Sequence, residues 1–545
     1  MINFEAEYYL TTQGIFEWKI PWRYNIAEDV CDKHAEETEK IALYYEDEEG
    51  NKEKYTFKQM KDLSNRFAKI LRDLGVEKGD RVAVSLPQRP ETAIAYLGIF
   101  KMGGISVSLS PLFGVETLRH CLTDSGAKIL VTDSRNKDKI SMVDKIPETL
   151  EHIMIVDGAS GDELDFEEEI KKTSSGLQIV KTRAEDPAMI MYTSGTTGRP
   201  KGALHTHRFL IGRLPGFQMA LDFFPQKGDL LWSPASWVWV AGLLDSLFAP
   251  WVFGVTVVAY NRWKFDPHGS YSLIERYGIR NAFLPPTALA IMMKEIPTPS
   301  KSYDINLRSV SSGGEPLPPA LLKWAEKELD VKINELYGLT EASYLIGNCQ
   351  RVMKVKPGSM GKPYPGHNIE ILGKEGEILP SNQVGEIGIR KGDPVMFLGY
   401  WNNDETTAAS FKGDFFLTGD LAYRDEEGYI WFVGRKDDVI ISSGHRLGPF
   451  EIESCIMKHP AVEEVAAVAA PDEIRGNIVK VFVKLAPGYE RSSEIAEEFK
   501  SVVKMEVAAF AYPRQIEFLD ELPKSVTGKI MRKKLRERER KERTG

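Results

Sequence analysis

Cysteine is scarce in this chain. The 545 residues contain 4, at Cys31, Cys121, Cys349 and Cys455, and no two form a Cys-x-x-Cys pair. That spacing excludes a cysteine zinc site and a disulfide framework, and suits free thiols in a reducing cytosol. No Gly-x-x-x-x-Gly-Lys-Ser/Thr string occurs, so the Walker phosphate loop is excluded. Basic residues are not in excess: 70 Lys and Arg face 79 Asp and Glu, a net charge of −9, which argues against a broad nucleic-acid footprint. Long apolar runs are missing too. The most apolar stretch, Leu243 to Tyr260, carries Asp245 and Gly254, and reads as a core helix turning into a strand rather than a membrane span. Met1 to Tyr9 is acidic without an apolar core, so no secretory signal is expected. The expectation is a cytoplasmic protein with no transmembrane segment and no nucleic-acid partner. Its oligomeric state is left open between monomer and homodimer.

What is present is ordinary globular composition, 42% hydrophobic and 27% charged, long enough for more than one domain. Phe57 to Leu74 has apolar residues at helical spacing. Arg81 to Leu86 is β-rich, Glu91 to Met102 is helical and Ile105 to Leu109 is strand-like. This alternation predicts βαβ units and a parallel sheet, and it recurs from Ala188 to Leu284. From Gly361 to Gly434 short strands (369–372, 385–390, 429–433) lie between Gly and Asp turns, the pattern of an antiparallel barrel or sandwich. After Gly434 a small α+β unit is expected: helix 450–457, strands 465–469 and 479–485, helix 493–507. The segment 435–438 is short and charged, which suits a hinge between domains 1–434 and 439–545. The tail from Lys529 alternates Lys and Arg with Glu537, Glu539 and Glu542, the pattern of a solvated terminal helix.

One stretch concentrates chemistry. Tyr192-Thr193-Ser194-Gly195-Thr196-Thr197-Gly198-Arg199-Pro200-Lys201-Gly202 follows the apolar Ala188 to Met191. Glycines let the backbone wrap an anion, Ser and Thr hydroxyls add donors, and Lys201 adds a mobile charge. Most such clusters are only flexible loops. Here four further strings follow in order: Ser312-Gly313-Gly314-Glu315-Pro316; Tyr337-Gly338-Leu339-Thr340-Glu341-Ala342; Thr418-Gly419-Asp420 through Gly434-Arg435-Lys436-Asp437-Asp438; and Pro523-Lys524-Ser525-Val526-Thr527-Gly528-Lys529.

Together these strings resemble the adenylate-forming superfamily over essentially the whole chain. Ser442 to Pro449, Asn25-Ile26-Ala27 and Lys356 to Gly361 are most similar to short- and medium-chain acyl-CoA synthetases. The resemblance implies two doubly wound α/β sheets plus a small β-barrel in a large N-terminal domain, with a small mobile α+β lid. It implies ATP, Mg²⁺ and coenzyme A, and a two-step reaction that joins a small carboxylic acid to CoA through an acyl-adenylate. A carboxylic acid is ionised at neutral pH, so the first step needs no general base, only alignment and positive charge.

Roles follow from the same resemblance. Thr193, Ser194, Gly195, Thr196, Thr197 and Gly198 hold the β- and γ-phosphates. Gly314, Glu315 and Pro316 pack on the base, and Tyr337, Gly338 and Thr340 bind the nucleotide within a segment similar to the family's substrate- and magnesium-binding one. Asp420 accepts from the ribose hydroxyls and Arg435 supports it. Glu341, with Thr197, is the Mg²⁺ position. Lys529 bridges the α-phosphate and the acid, assisted by Thr193, Lys201 and Glu341. Asp437 matches the hinge. Phe113, Gly114, Ser443, Gly444, Arg446 and Arg475 are the CoA positions. Trp237, Gly313 and Gly338 line the acyl pocket, where Trp237 would shorten the cavity for short, medium-chain or branched acids; core packing is an equal reading of that indole. Leu336-Tyr337-Gly338-Leu339 lacks the tryptophan of acetate-specific relatives, against strict acetate specificity. His205 and His207 read as satisfied structural histidines. An aryl-CoA ligase and a stand-alone enzyme loading a carrier protein stay open, since 530–545 leaves no room for a carrier in cis. A luciferase-like oxygenase and a non-catalytic nucleotide-binding protein are further rivals.

Overall fold

A computed structural model describes residues 16–143, 146–193, 199–442, 445–472, 476–506, 511–525 and 528–544. Two large sheets form its frame. The first has eight strands in the order Gly399–Tyr400, Lys201–Thr206, Pro187–Thr193, Ile105–Ser108, Arg81–Ser85, Ile129–Thr132, His152–Ile155, Leu164–Asp165. Its central pairs are parallel, and the strands at 201–206 and 399–400 join antiparallel at one edge. The second has nine strands, Lys362–Pro363, Ala342–Gly347, Ile333–Leu339, Ser309–Gly313, Asn281–Phe283, Leu231–Trp232, Val257–Asn261, Ile41–Asp47 and Lys52–Thr56, again parallel at its centre. The strand cores are buried along their length, as expected where helices cover both faces.

Local chemistry explains several boundaries. The helix Phe57–Asp73 starts in a capping box: Thr56 accepts from the Gln59 amide and Gln59 reaches back to the Thr56 amide. Asn25 caps Ile26–Val30, and its amide group donates to the Phe100 carbonyl at 2.7 Å and to Thr182. Its place in the family-like string is therefore as a brace between distant segments. The apolar run Leu243–Tyr260 lies within π-helical turns Ala241–Phe248, a short helix Ala249–Val252 and the strand Val257–Asn261. Among the described residues no helix is long and apolar enough to cross a membrane.

Ile369–Leu372, Gly385–Arg390, Phe415–Arg424, Phe411–Lys412 and Ile430–Arg435 form a five-stranded antiparallel sheet. Its ends do not pair with each other among the described residues, so the ladder stays open. Beyond it come the small hairpin Ile440–Ser442 with His445–Leu447, the helix Pro449–Ile456, and a three-stranded sheet of Val462–Asp472, Gly476–Leu485 and Gln515–Phe518 backed by Ser493–Glu506. The basic tail departs from the solvated helix expected. Arg532–Thr544 docks on this sheet through buried Leu535, and buried Glu539 pairs with Lys480 at 2.6 Å. Alternating charge hid this because one glutamate of the pattern has a specific partner on the sheet.

Candidate active site

The glycine-rich stretch links two neighbouring strands. Pro187–Thr193 ends where Lys201–Thr206 begins, and Thr193 lies directly opposite Lys201. Ser194, Gly195, Thr196, Thr197 and Gly198 lie outside the described residues, as do Ser443, Gly444 and Arg475. Of Arg446 only the backbone is described, paired with Ile441. Thr193 and Lys201, which flank the loop, are thus held by one ladder near the edge of the eight-stranded sheet.

The second sheet brings in a hairpin. Ile333–Leu339 and Ala342–Gly347 pair through Leu339 and Ala342, so Thr340 and Glu341 form the two-residue tip. The tip is braced from the eight-stranded sheet's edge. Phe397 donates its amide to the Glu341 carbonyl at 2.8 Å, and the Tyr400 hydroxyl donates to Glu341 Oε1 at 2.6 Å. Lys201 Nζ lies 5.5 Å from the centre of the Tyr400 ring. Lys201, Tyr400 and Glu341 therefore converge from three segments. Tyr400 was missed in the sequence because it stands in no motif. Among the described residues no group of three or more His, Cys, Asp and Glu side chains is placed to hold a metal ion. One carboxylate fits Mg²⁺, which keeps waters and takes its other ligands from phosphate oxygens.

The hairpin's Tyr337 reaches the five-stranded sheet. Its hydroxyl donates to Asp420 Oδ2 at 2.7 Å, while Arg435 donates to Asp420 Oδ1 at 3.0 Å. Asp420 and Arg435 are register partners on adjacent strands, which is why residues fifteen apart meet. Burial pushes the Asp420 carboxyl up, opposed by Arg435 and by the Tyr337 hydrogen bond. Burial pushes the Tyr337 hydroxyl up strongly, and Asp420 adds to it. Burial works against the Arg435 charge, but Asp420 outweighs it and raises the guanidinium. Glu386 completes the corner by accepting from the Gly419 amide and from Lys436.

The strand Ser309–Gly313 ends at the Gly314 turn. Gly314 has φ +91°, and a Cβ on Gly313 would come 2.6 Å from the Leu336 carbonyl. Side chains are excluded at one position by backbone conformation and at the other by space. Glu315 accepts from Thr287 at 3.1 Å, and Pro316 follows half-buried. At Gly338 a Cβ would meet Ser343 Cα at 2.7 Å. Trp237 is buried in the main core, in one hydrophobic cluster with Leu336, Ala342 and Tyr344. The neighbouring Trp239 is only half-buried and packs edge-on against Phe113 at 6.1 Å. Gly114 caps the helix Val115–Ser125 with open space at its Cβ position.

The C-terminal unit supplies the last part. Lys524 and Ile530 bridge, Ser525 donates its amide to the Lys529 carbonyl at 2.8 Å, and Gly528 turns the chain with φ +83°. This tight loop extends Lys529 so that its Nζ donates to the Gly314 carbonyl at 2.8 Å. Lys294 and Glu463 add a second contact between the units at 2.7 Å. Asp437 is exposed in the turn after Ile430–Arg435, which closes through the amides of Asp438 and Val439 onto the Arg435 carbonyl.

The two histidines after the loop differ from expectation. Both are buried, but neither ring nitrogen of His205 has a hydrogen-bond partner, and only Nδ1 of His207 has one, the Ile26 amide. Burial pushes both down to about 3, so both rings are neutral. Both are buried, but His205 is not satisfied and His207 only at one nitrogen, because partners depend on what packs against each ring.

Comparison with known proteins gives the same outline. A model described as AMP-binding enzyme matches residues 31–401, and one described as AMP-binding enzyme C-terminal domain matches 451–529. The chain is 41% identical over 521 residues to the acetyl-coenzyme A synthetase of Bacillus subtilis (strain 168), covering 94% of this chain and 90% of that protein. It is 36% identical to the mitochondrial acyl-coenzyme A synthetase ACSM3 of Rattus norvegicus, over 96% of this chain and 92% of the relative. The crystal structure of the anthranilate CoA ligase AuaEII in complex with anthranoyl-AMP superposes with a TM-score of 0.87 at 28% identity, covering 95% of this chain and 98% of that one. With both of its units matched and the site's strands in place, the chain belongs to the AMP-binding enzyme family and stands there with the AMP-forming acyl-CoA synthetases.

Proposed function

We propose that this enzyme joins a short- or medium-chain, or branched, carboxylic acid to coenzyme A in two steps, in the cytoplasm. A carboxylate oxygen attacks the α-phosphorus of ATP and pyrophosphate leaves. The CoA thiol gives up its proton to water, its sulfur attacks the acyl carbon, and AMP leaves with the electron pair on its phosphate oxygen. The observation that carries this reading is the Lys529 ammonium, brought from the C-terminal unit to 2.8 Å from the Gly314 carbonyl, beside the Tyr337–Asp420–Arg435 group.

The residues act by position and charge. Asp420, oriented by Tyr337 and Arg435, accepts from the ribose hydroxyls. Gly314, Glu315 and Pro316 border the base. Thr193 and the loop to Gly198 hold the terminal phosphates, with Lys201 as a counter-charge at the loop's far end. Glu341, held by Tyr400, would hold Mg²⁺ together with Thr197, and the ion would neutralise phosphate oxygens. Lys529 draws the two anions together, a task worth about 3 kcal/mol for one positioned cation.

Thioester formation needs Lys529 out of the way. Asp437 is the hinge about which residues 439–545 turn, replacing Lys529 by the segment that carries Ser443, Gly444 and Arg446; Phe113 and Gly114 then meet CoA, and Arg475 contacts it. A few residues at an element end suffice for such a motion. The test is pyrophosphate release across acids of two to ten carbons, branched acids and aromatic acids, with and without CoA. CoA-dependent turnover is expected with aliphatic acids. Preference for aromatic acids would favour an aryl-CoA ligase, which the likeness to the anthranilate enzyme keeps in view. Turnover only with a holo-carrier protein, or no release with any acid, would overturn the reading.

A further inference from the structure

Lys529 is exposed, and its long flexible stem does not by itself fix an ammonium in space. Local hydrogen bonds shape the turn that carries it: Lys524 bridges Ile530, and Met531 donates its amide to the Pro523 carbonyl at 2.7 Å. These bonds close the turn on itself. Lys524 also pairs with Glu464, but both side chains are partly exposed, and such pairs hold weakly. The firm tie to the body of the C-terminal unit comes three residues after Lys529. Arg532 opens the helix Arg532–Thr544 and donates from Nε to Glu453 Oε1 at 2.9 Å and from a terminal nitrogen to Oε2 at 2.5 Å. Two bonds to the two carboxylate oxygens fix the guanidinium in orientation as well as in place.

Glu453 is a rigid partner. It is buried on the helix Pro449–Ile456, and its Oε1 also accepts from the Ala467 amide on the strand Val462–Asp472 at 2.8 Å. A buried carboxylate needs its charge matched, and Arg532 matches it. Arg532 also stands near the cleft. Burial works against its charge, Glu453 outweighs this, and Asp438 and Glu315 add to the effect. Glu315 follows Gly314, whose carbonyl accepts from Lys529, so the clamp sits beside the place where the ammonium acts. Further along the helix, buried Leu535 and the Glu539–Lys480 pair dock it on the sheet. Those contacts hold the helix, whereas Arg532 holds its first residue, where the Lys529 turn leaves off.

We infer that Arg532, clamped on Glu453, is the positioning residue for Lys529, and that it acts in adenylation and not in thioester formation. This rests on the acyl-CoA synthetase reading and on the role given there to Lys529. Three residues of chain span at most about 10 Å, so a loosened Arg532 passes its displacement to Lys529. A group misplaced by about 1 Å costs up to about a hundredfold in rate. In thioester formation Lys529 is withdrawn, and its aim no longer matters.

The test uses the full chain and the acid that releases pyrophosphate fastest, and it measures two rates separately. One is acid-dependent ATP–pyrophosphate exchange; the other is acyl-CoA formation from the acyl-AMP of that acid. Arg532→Ala should slow exchange by about tenfold or more while KM for ATP and the acyl-CoA rate stay within a few-fold. Arg532→Lys should recover only part, since it keeps the charge and loses the fork. In a Lys529→Ala background Arg532→Ala should cost nothing further, because a residue that acts through another has no task once that one is gone. Glu539→Gln, which breaks the other buried pair of the helix, should leave the ratio of the two rates unaltered. Equal loss in both steps, a further loss in the Lys529→Ala background, or the same change of ratio in Glu539→Gln overturns the inference. Should Arg532→Ala not fold, Arg532→Lys, alone and with Lys529→Ala, decides the matter by the same comparisons. Full exchange in Lys529→Ala with Arg532 intact would instead remove the role of Lys529 beneath the inference, and no exchange with any acid would remove the acyl-CoA synthetase reading.

Discussion

Replacing Lys529 by alanine removes one cation from a place where two anions must meet. Its Nζ lies 2.8 Å from the Gly314 carbonyl and is near enough to Asp420 to lower that carboxyl. A unit charge about 4 Å from an opposite one is worth about 4 kcal/mol at an effective dielectric of about 20. Solvent around the exposed side chain trims this, and about 3 kcal/mol is a fair figure for one preorganised group, or about a hundredfold in rate. Lys529→Ala should therefore slow acid-dependent ATP–pyrophosphate exchange by about a hundredfold or more. Formation of acyl-CoA from supplied acyl-AMP should stay within a few-fold, because the proposed rotation withdraws Lys529 from that step. Lys529→Arg should recover only part of the exchange, since a planar fork replaces a compact ammonium. Folding should be untouched, as an exposed loop lysine seldom changes stability by more than about 0.5 kcal/mol. Exchange retained near its full rate, or equal loss in both steps, would refute the reasoning.

Asp437→Pro should impair thioester formation more than adenylation, because proline fixes φ where the proposed hinge must turn and spares the Asp438 and Val439 amides that close the turn; stopped-flow comparison of the two steps checks it, and equal losses speak against the hinge. Glu335 gives a pH test: its carboxyl is buried beside the Leu317 amide, and burial pushes it up to about 8. The native state thus keeps a proton that the unfolded chain loses above its ordinary value of 4.5, so this stability is full below about 4.5 and falls as pH rises toward about 8, by about 1.4 kcal/mol per unit. Relative to Glu335→Gln, the unaltered protein should be more stable at pH 5 than at pH 7 by about 2–3 kcal/mol in urea titrations, and parallel pH profiles would contradict it.

Much of the frame was legible along the chain. The helix read as Phe57 to Leu74 is Phe57–Asp73, and the strand pattern leading into the glycine-rich loop is the buried strand Pro187–Thr193. The run from Leu243 to Tyr260 does turn from helix to strand. The order of five motif strings placed the family on its own, since each string is a local turn whose backbone demands small, hydroxyl or acidic residues at set positions. Gly314 and Gly528 show this, each holding a left-handed turn that a side chain would strain.

Contacts between motifs were a different matter. Tyr400 reaches Glu341 across 59 positions, Tyr337 reaches Asp420 across 83, and Lys529 reaches Gly314 across 215. No periodicity carries such pairings, because they depend on which strands lie side by side after several crossovers. Nor could spacing tell that Trp237 goes into the core while Trp239 turns toward Phe113, or that His205 is buried without hydrogen-bond partners. Local elements and motif loops follow from neighbouring residues, since backbone hydrogen bonds and amphipathic burial act over a few positions. Which side chains face one another, and with what charge, was decided only when two sheets and a docked C-terminal unit closed around a common space.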